Sequence, residues 1–144
     1  MNMIKVKTAE LSGSALDWAV AVIEGHDVIV HAVGTYRYDK RGGIHCCKYG
    51  CTFGPRSLTS DSGEYSPSTD WSQGGPLIEK YGIGVAKFFE PIDGPVMVGM
   101  EWAALWIDDS VRMDGPAPLI AACRAIVAAK LGAVVQVPGE LVQR

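Results

Sequence analysis

The spacing of apolar and polar positions predicts two main helices. The first covers residues 14–24, where Ser14 and Asp17 form an acidic variant of the capping box and Gly25 suits a left-handed C-terminal cap. The second covers residues 118–131 and carries alanines on one face and larger aliphatic side chains on another. The alanine face lets a neighbouring element approach closely, and the aliphatic face suits the core.

Alternating or β-branched runs predict short strands in the rest of the chain. These runs are residues 4–6, 27–33 and 83–90, with one or two further strands within residues 95–107. Pro76 suits the first turn of a short helix that continues to Lys80 and ends at Gly82. Residues 34–63 have no regular pattern and predict a long loop or an irregular hairpin.

These elements predict an α+β fold in a single domain of residues 1–144. A small, mainly antiparallel sheet would be packed by the two main helices. The chain has 144 residues, of which 48% are hydrophobic, as in an ordinary globular protein. A chain of this length buries roughly 68–70% of its unfolded surface, so a real core is expected.

The charge balance argues against a general nucleic-acid binder. The net charge is −3, although residues 36–56 carry five basic residues and one acid. Such a segment could contact phosphate, but a solvated surface loop is the favoured interpretation. No run approaches the roughly 20 apolar residues that span a bilayer, and the first residues lack the pattern of a signal peptide. We therefore expect a cytoplasmic protein, in which thiols stay reduced.

Four potential metal ligands lie close together in the sequence, at His45, Cys46, Cys47 and Cys51. Structural zinc usually takes two spaced ligand pairs, and the adjacent Cys46 and Cys47 cannot easily converge on one tetrahedral ion. The favoured interpretation is a loop with free thiols. A reactive thiol is an alternative, because nearby basic residues would favour the thiolate. The sequence predicts no metal and no cofactor.

Residues 65–76 form a dense polar and aromatic run that ends in glycine and proline. One interpretation is structural, with Asp70 accepting hydrogen bonds from backbone N–H groups at the start of a helix. The other is a ligand site, in which Asp70 and Gln73 fix the polarity and Trp71 stacks on the ligand. The candidate binding residues of this run are Tyr65, Ser68, Thr69, Asp70, Trp71 and Gln73.

Arg124 lies among apolar neighbours on the last predicted helix. If it is buried, it needs a carboxylate partner, since an unpaired buried charge costs about 3–5 kcal/mol. Asp17 and Asp70 are the candidate partners, so Arg124 and Asp17 join the candidate site. The alanine face of this helix also allows a homodimer, although packing within the chain would explain it equally well.

Five segments share the features of one known family. They are residues 15–20, residues 65–78, Trp102-Ala103, residues 118–122 with Arg124, and residues 131–138. Together they resemble the phage NinX family of tailed bacteriophages, and the run at 65–76 is the most specific of them. The resemblance implies a phage protein that acts in the host cytoplasm. It supplies no reaction, substrate or catalytic residue.

The leading functional hypothesis is a non-enzymatic phage accessory protein. It would bind a host or phage protein, or a small ligand, through residues 65–76, because this run is rich in binding groups but contains no complete catalytic set. The alternative is an enzyme that acts on a small polar or nucleotide-like substrate, with Asp70 as acid or base and Arg124 holding an anion. The sequence assigns no catalytic residue and predicts no membrane contact.

Overall fold

The computed structural model of this chain describes residues 3–25, 28–31, 43–46, 65–92, 96–105 and 111–142. The helices in these stretches are α1 (Gly13–Ile23), α2 (Trp71–Tyr81) and α3 (Pro118–Leu131). The strands are β1 (Met3–Lys7), β2 (Val28–His31), β3 (Gly43–Cys46), β4 (Gly84–Ile92), β5 (Val96–Leu105), β6 (Arg112–Gly115) and β7 (Val134–Pro138). Short 3₁₀ turns lie at Thr8–Glu10 and Gly139–Leu141.

All the strand pairs in the described stretches are antiparallel. β1 pairs with β7, β2 pairs with β3, and β4, β5 and β6 form a three-stranded sheet in that order. The α+β class predicted from the sequence is therefore confirmed, with the strands distributed over three small sheets. β6 and β7 were not predicted from the sequence.

Helix α3 carries much of the core and has the bounds predicted from the sequence. It packs against α1, α2, β4, β5, β6 and β7. Its buried side chains are Leu119, Ala121, Ala122, Cys123, Ala125, Ile126 and Val127. The small side chains allow close approach, since a Cβ atom on Gly115 of β6 would lie 2.9 Å from the backbone nitrogen of Ala121. The alanine face is thus largely used by packing within the chain.

Helix α1 begins one residue earlier than predicted, and its cap differs. Ser12 occupies the N-cap position and makes no side-chain capping hydrogen bond. The predicted capping box of Ser14 and Asp17 is wrong, because Asp17 is buried and accepts a hydrogen bond from another segment. Gly25 has a φ of 72°, which confirms the left-handed residue at the end of this helix.

Helix α2 begins at Trp71, so the predicted start at Pro76 is wrong. Asp70 is the N-cap, and Pro76 lies inside the helix instead of in its first turn. Residues 71–75 of the polar run are therefore helical. Gly82 ends the helix in the left-handed conformation with φ 63° and ψ 43°, as the sequence predicts.

Several predictions concern residues outside the described stretches. These residues are Cys47, Cys51 and most of the basic segment 36–56. Cys46 belongs to β3, but its side chain is not described. Within the described stretches, no helix is long and apolar enough to cross a membrane.

Candidate functional site

The candidate site begins with a tight turn in the polar run. The backbone N–H groups of Thr69 and Asp70 donate to the carbonyl oxygen of Ser66, at 3.1 and 2.9 Å. Pro67 occupies the second position of this turn, where its fixed φ is favourable. The turn places Asp70 directly before the first residue of α2.

Asp70 caps α2, as the structural interpretation of the sequence predicts. Its Oδ1 atom accepts hydrogen bonds from the backbone N–H of Ser72 at 2.9 Å and from the Ser72 hydroxyl at 2.6 Å. These two hydrogen bonds stabilise the ionised carboxylate and lower the pKa of Asp70 from its ordinary value of 3.8. Asp70 therefore carries a negative charge at neutral pH.

Gln73 connects the first turn of α2 to the preceding segment. Its Oε1 atom accepts a hydrogen bond from the backbone N–H of Ser66 at 2.6 Å. The two backbones come so close that a Cβ atom on Gly74 would lie 2.2 Å from the carbonyl oxygen of Pro67. The same Cβ would lie 2.7 Å from Leu119 of α3. The turn and α2 thus form one tightly packed unit on α3.

Asp17 of α1 anchors the turn from inside the molecule. Its Oδ1 atom accepts a hydrogen bond from the backbone N–H of Ser68 at 2.9 Å. Both residues are almost fully buried, with exposed fractions of 5% for Asp17 and 2% for Ser68. The Ser68 hydroxyl, in contrast, has no hydrogen-bond partner in the described part of the chain. Asp17 therefore holds the turn through the backbone N–H of Ser68 and not through its side chain.

Cys123 of α3 lies in the electrostatic field of Asp17. Burial raises the pKa of the Cys123 thiol, and the negative charge of Asp17 raises it further. The thiol is therefore neutral and shielded from solvent at physiological pH. This makes Cys123 a core residue.

The two aromatic residues of the polar run have opposite environments. Tyr65 is buried in the core, whereas Trp71 has 58% of its surface exposed. Trp71 is the first residue of α2, and its ring atom Cε3 lies 3.9 Å from the position that a Cβ on Gly75 would take. Thr69 is also exposed. Of the candidate residues in the run, Trp71 offers the large apolar contact surface.

Arg124 is held by the backbone of two other segments. Its Nε atom donates to the carbonyl oxygen of Leu11 and one terminal nitrogen donates to that of Asp114, each at 2.8 Å. Asp70 is not its partner, because the Asp70 carboxylate bonds only to Ser72 in the described part of the chain. The pairing of Arg124 with Asp17 stays a prediction.

The structure also shows a polar cluster that sequence reasoning missed. Lys80 donates to both carboxylate oxygens of Glu24, each at 2.9 Å, and the Tyr81 hydroxyl donates to the same carboxylate. The amino groups of Lys80 and Lys130 lie 5.2 and 5.6 Å from the centre of the Tyr81 ring. The C-terminal ends of all three described helices meet here, where lysines are favourable. The sequence places Glu24, Lys80 and Lys130 near the ends of predicted helices, but it does not show that these helix ends lie together.

Metal binding receives no support from the described residues. They include no group of three histidine, cysteine, aspartate or glutamate side chains that could hold an ion. Because Cys47 and Cys51 lie outside these stretches, the cysteine loop itself is not tested.

Comparison with known proteins agrees with the sequence resemblance. The family model described as "Bacteriophage P22, NinX" matches residues 7–130 of this chain. The matched region contains α1, the turn before α2, α2 itself and nearly all of α3. No curated protein matches the chain. Because the family match covers most of the sequence, this protein belongs to the Bacteriophage P22 NinX family.

Proposed function

We propose that this protein is a non-enzymatic phage accessory protein that binds a macromolecular partner through Trp71. The observation that carries the proposal is the exposure of this side chain, 58% of its surface, on a rigidly held helix start. Tryptophan is enriched among the residues that contribute most binding free energy at interfaces. The proposed site of action is the host cytoplasm.

The surroundings of Trp71 suit a prearranged contact surface. The hydrogen bonds of Asp17 and Gln73 hold the turn before α2, and Asp70 fixes the first turn of the helix. A surface that is already ordered loses less conformational entropy on binding. The open position of Trp71 favours a broad partner surface over a small ligand, since small ligands are usually enclosed by concave pockets.

The alternative of an enzyme receives less support from the geometry. A general acid or base that works near neutral pH usually has a pKa close to that pH, whereas hydrogen bonding moves the pKa of Asp70 further below it. Arg124 donates to two backbone carbonyl oxygens, which gives it a structural role. We therefore propose a binding function without catalysis.

Site-specific photocrosslinking tests this proposal. A photoreactive benzoylphenylalanine replaces Trp71 in one variant and Val134 in a control variant, because Val134 is also exposed, at 54%, but lies on β7. Both variants are expressed in infected host cells, irradiated and examined by mass spectrometry. We expect one protein to be crosslinked from position 71 and not from position 134.

Affinity measurements with that protein then test the side chain itself. Trp71→Ala should weaken binding by at least about 30-fold, as at an interface residue that contributes 2 kcal/mol or more. Val134→Ala should leave the affinity unchanged. Equal crosslinking from both positions, or an unchanged affinity of Trp71→Ala, would overturn the proposed function.

A further inference from the structure

The outward face of α2 places an exposed indole between two carboxylates. Trp71, Gly75 and Glu79 are spaced four residues apart, so they share one side of the helix. Gly75 has no side chain that would cover this side, and the indole of Trp71 lies next to it. Asp70 immediately precedes Trp71. A partner that covers Trp71 and extends over the start of α2 also meets the Asp70 carboxylate.

The negative charge of this face is not neutralised in the described part of the chain. Both hydrogen bonds to Asp70 go to Oδ1, so its Oδ2 atom accepts no hydrogen bond from the described residues and can accept one from a partner. Glu79 forms no ion pair within the described residues. The neighbouring Lys80 is held by both oxygens of Glu24.

We infer that the partner presents an arginine side chain to this face, stacked on Trp71 and hydrogen-bonded to Oδ2 of Asp70. The inference rests on the proposed function and specifies the chemistry of its partner. A guanidinium group is planar and charged, so it can stack on an indole and donate to a carboxylate in the same position. Lysine offers the charge but not the planar stacking surface.

Other partner surfaces fit this face less well. An apolar surface over this part of the helix would remove water from Oδ2 of Asp70 and leave that oxygen without a hydrogen bond, which is unfavourable. An anionic surface would be repelled by Asp70 and Glu79. Glu79 lies about 12 Å along the helix axis from Trp71. A basic segment can therefore place a second cation there.

Binding of a short arginine peptide tests the inference directly. The probe is an acetylated, amidated peptide with three arginines separated by glycines, and the control replaces each arginine by citrulline, which is neutral and nearly isosteric. NMR spectra of the ¹⁵N-labelled protein report the indole N–H of Trp71 and the backbone N–H of Ser72. We expect both signals to shift with the arginine peptide only. Equal shifts with both peptides, or none at millimolar concentration, would overturn the inference.

Charge variants separate local recognition from general attraction. Asp70→Asn removes the charge but keeps a good N-cap, because asparagine and aspartate cap helices about equally well. We expect it to weaken peptide binding by about twofold, within the range for one exposed ion pair. Asp114→Asn removes a carboxylate from β6 and should have no effect. Equal effects of the two substitutions would show that only net charge matters.

The same variants separate this inference from the proposed function. If Trp71→Ala weakens binding of the crosslinked partner but Asp70→Asn does not, the proposed binding surface is correct and the inferred arginine contact is wrong. If both substitutions weaken binding, both conclusions hold. If position 71 crosslinks no partner, the proposed function fails, and the inference about its partner fails with it.

Discussion

At the scale of single residues, the buried contact between Asp17 and Ser68 joins α1 to the turn before α2. The carboxylate accepts from the backbone N–H of Ser68, and the Ser68 hydroxyl has no hydrogen-bond partner in the described part of the chain. The two groups therefore differ in their contribution to stability. A buried donor that loses its acceptor is costly, whereas removing an unbonded hydroxyl is not.

We predict that Asp17→Ala destabilises the protein and that Ser68→Ala does not. Asp17→Ala should lower the free energy of unfolding by about 1–3 kcal/mol, because the buried N–H of Ser68 loses its acceptor. Ser68→Ala keeps that N–H and removes a polar atom from the interior. Urea unfolding followed by circular dichroism measures both. A large loss of stability in Ser68→Ala would show that its hydroxyl is bonded.

Asp70 leads to a prediction about acidic pH. Its pKa is lowered in the folded state, so the ionised carboxylate stabilises the fold at pH values above its ordinary pKa of 3.8. This stabilisation is lost as the pH falls through the lower pKa of the folded state. Asp70→Asn has no such titration. We therefore expect the stability of the wild type, relative to this variant, to decrease as the pH falls below 3.8. Unfolding measurements at several pH values check this, and a constant difference would contradict it.

The sequence predicted some of these residue roles and not others. The capping role of Asp70 could be predicted because it depends on neighbours in the chain. The contact of Asp17 with Ser68 could not, because 51 residues separate them. Ser14 and Asp17 have the spacing of a capping box, but tertiary packing gives Asp17 a different partner.

At the scale of elements, α2 shows how a polar run becomes a helix. The run contains two glycines and two prolines, which favour a loop by local propensity. The Asp70 cap, the Gln73 hydrogen bond and the close packing of Gly74 oppose this preference. These contacts with the turn and with α3 explain why α2 starts before Pro76, whereas α3 could be predicted from its own pattern.

We predict opposite effects of alanine at the two adjacent glycines of α2. Gly74→Ala should lower the free energy of unfolding by about 1–3 kcal/mol or more, because its Cβ would overlap the backbone of Pro67. Gly75→Ala meets only the ring of Trp71 at an ordinary contact distance. It should raise the free energy of unfolding by about 0.5–1 kcal/mol, the helical preference for alanine. Urea unfolding of both variants checks this, and similar effects would contradict the close packing at Gly74.

At the scale of the whole molecule, residues near the two ends of the described chain are joined around α3. β1 pairs with β7, and the Thr8 hydroxyl donates to the carbonyl oxygen of Gly132 at 2.6 Å. Contacts between positions this far apart cannot be predicted from local patterns. α3 directly precedes β7 in the chain, and it packs against α1 and α2. Exposing the buried face of α3 should therefore require the separation of several elements.

We predict that Cys123 becomes reactive only when the molecule unfolds. Burial raises the pKa of its thiol, so the native state offers neither access nor thiolate to a reagent. A variant with serine at positions 46, 47 and 51 leaves Cys123 as the single thiol.

Ellman's reagent at pH 8 measures the labelling rate of this variant, after circular dichroism has shown that it is folded. Native labelling should be at least about a thousandfold slower than labelling in urea, because ordinary domains are stable by 5 kcal/mol or more. The free energy obtained from labelling should also equal that from urea unfolding, since α3 contacts so many elements. Adding Cys123→Ser should abolish labelling. Rapid labelling of the folded protein would show that α3 opens locally, and would contradict its place in a single cooperative core.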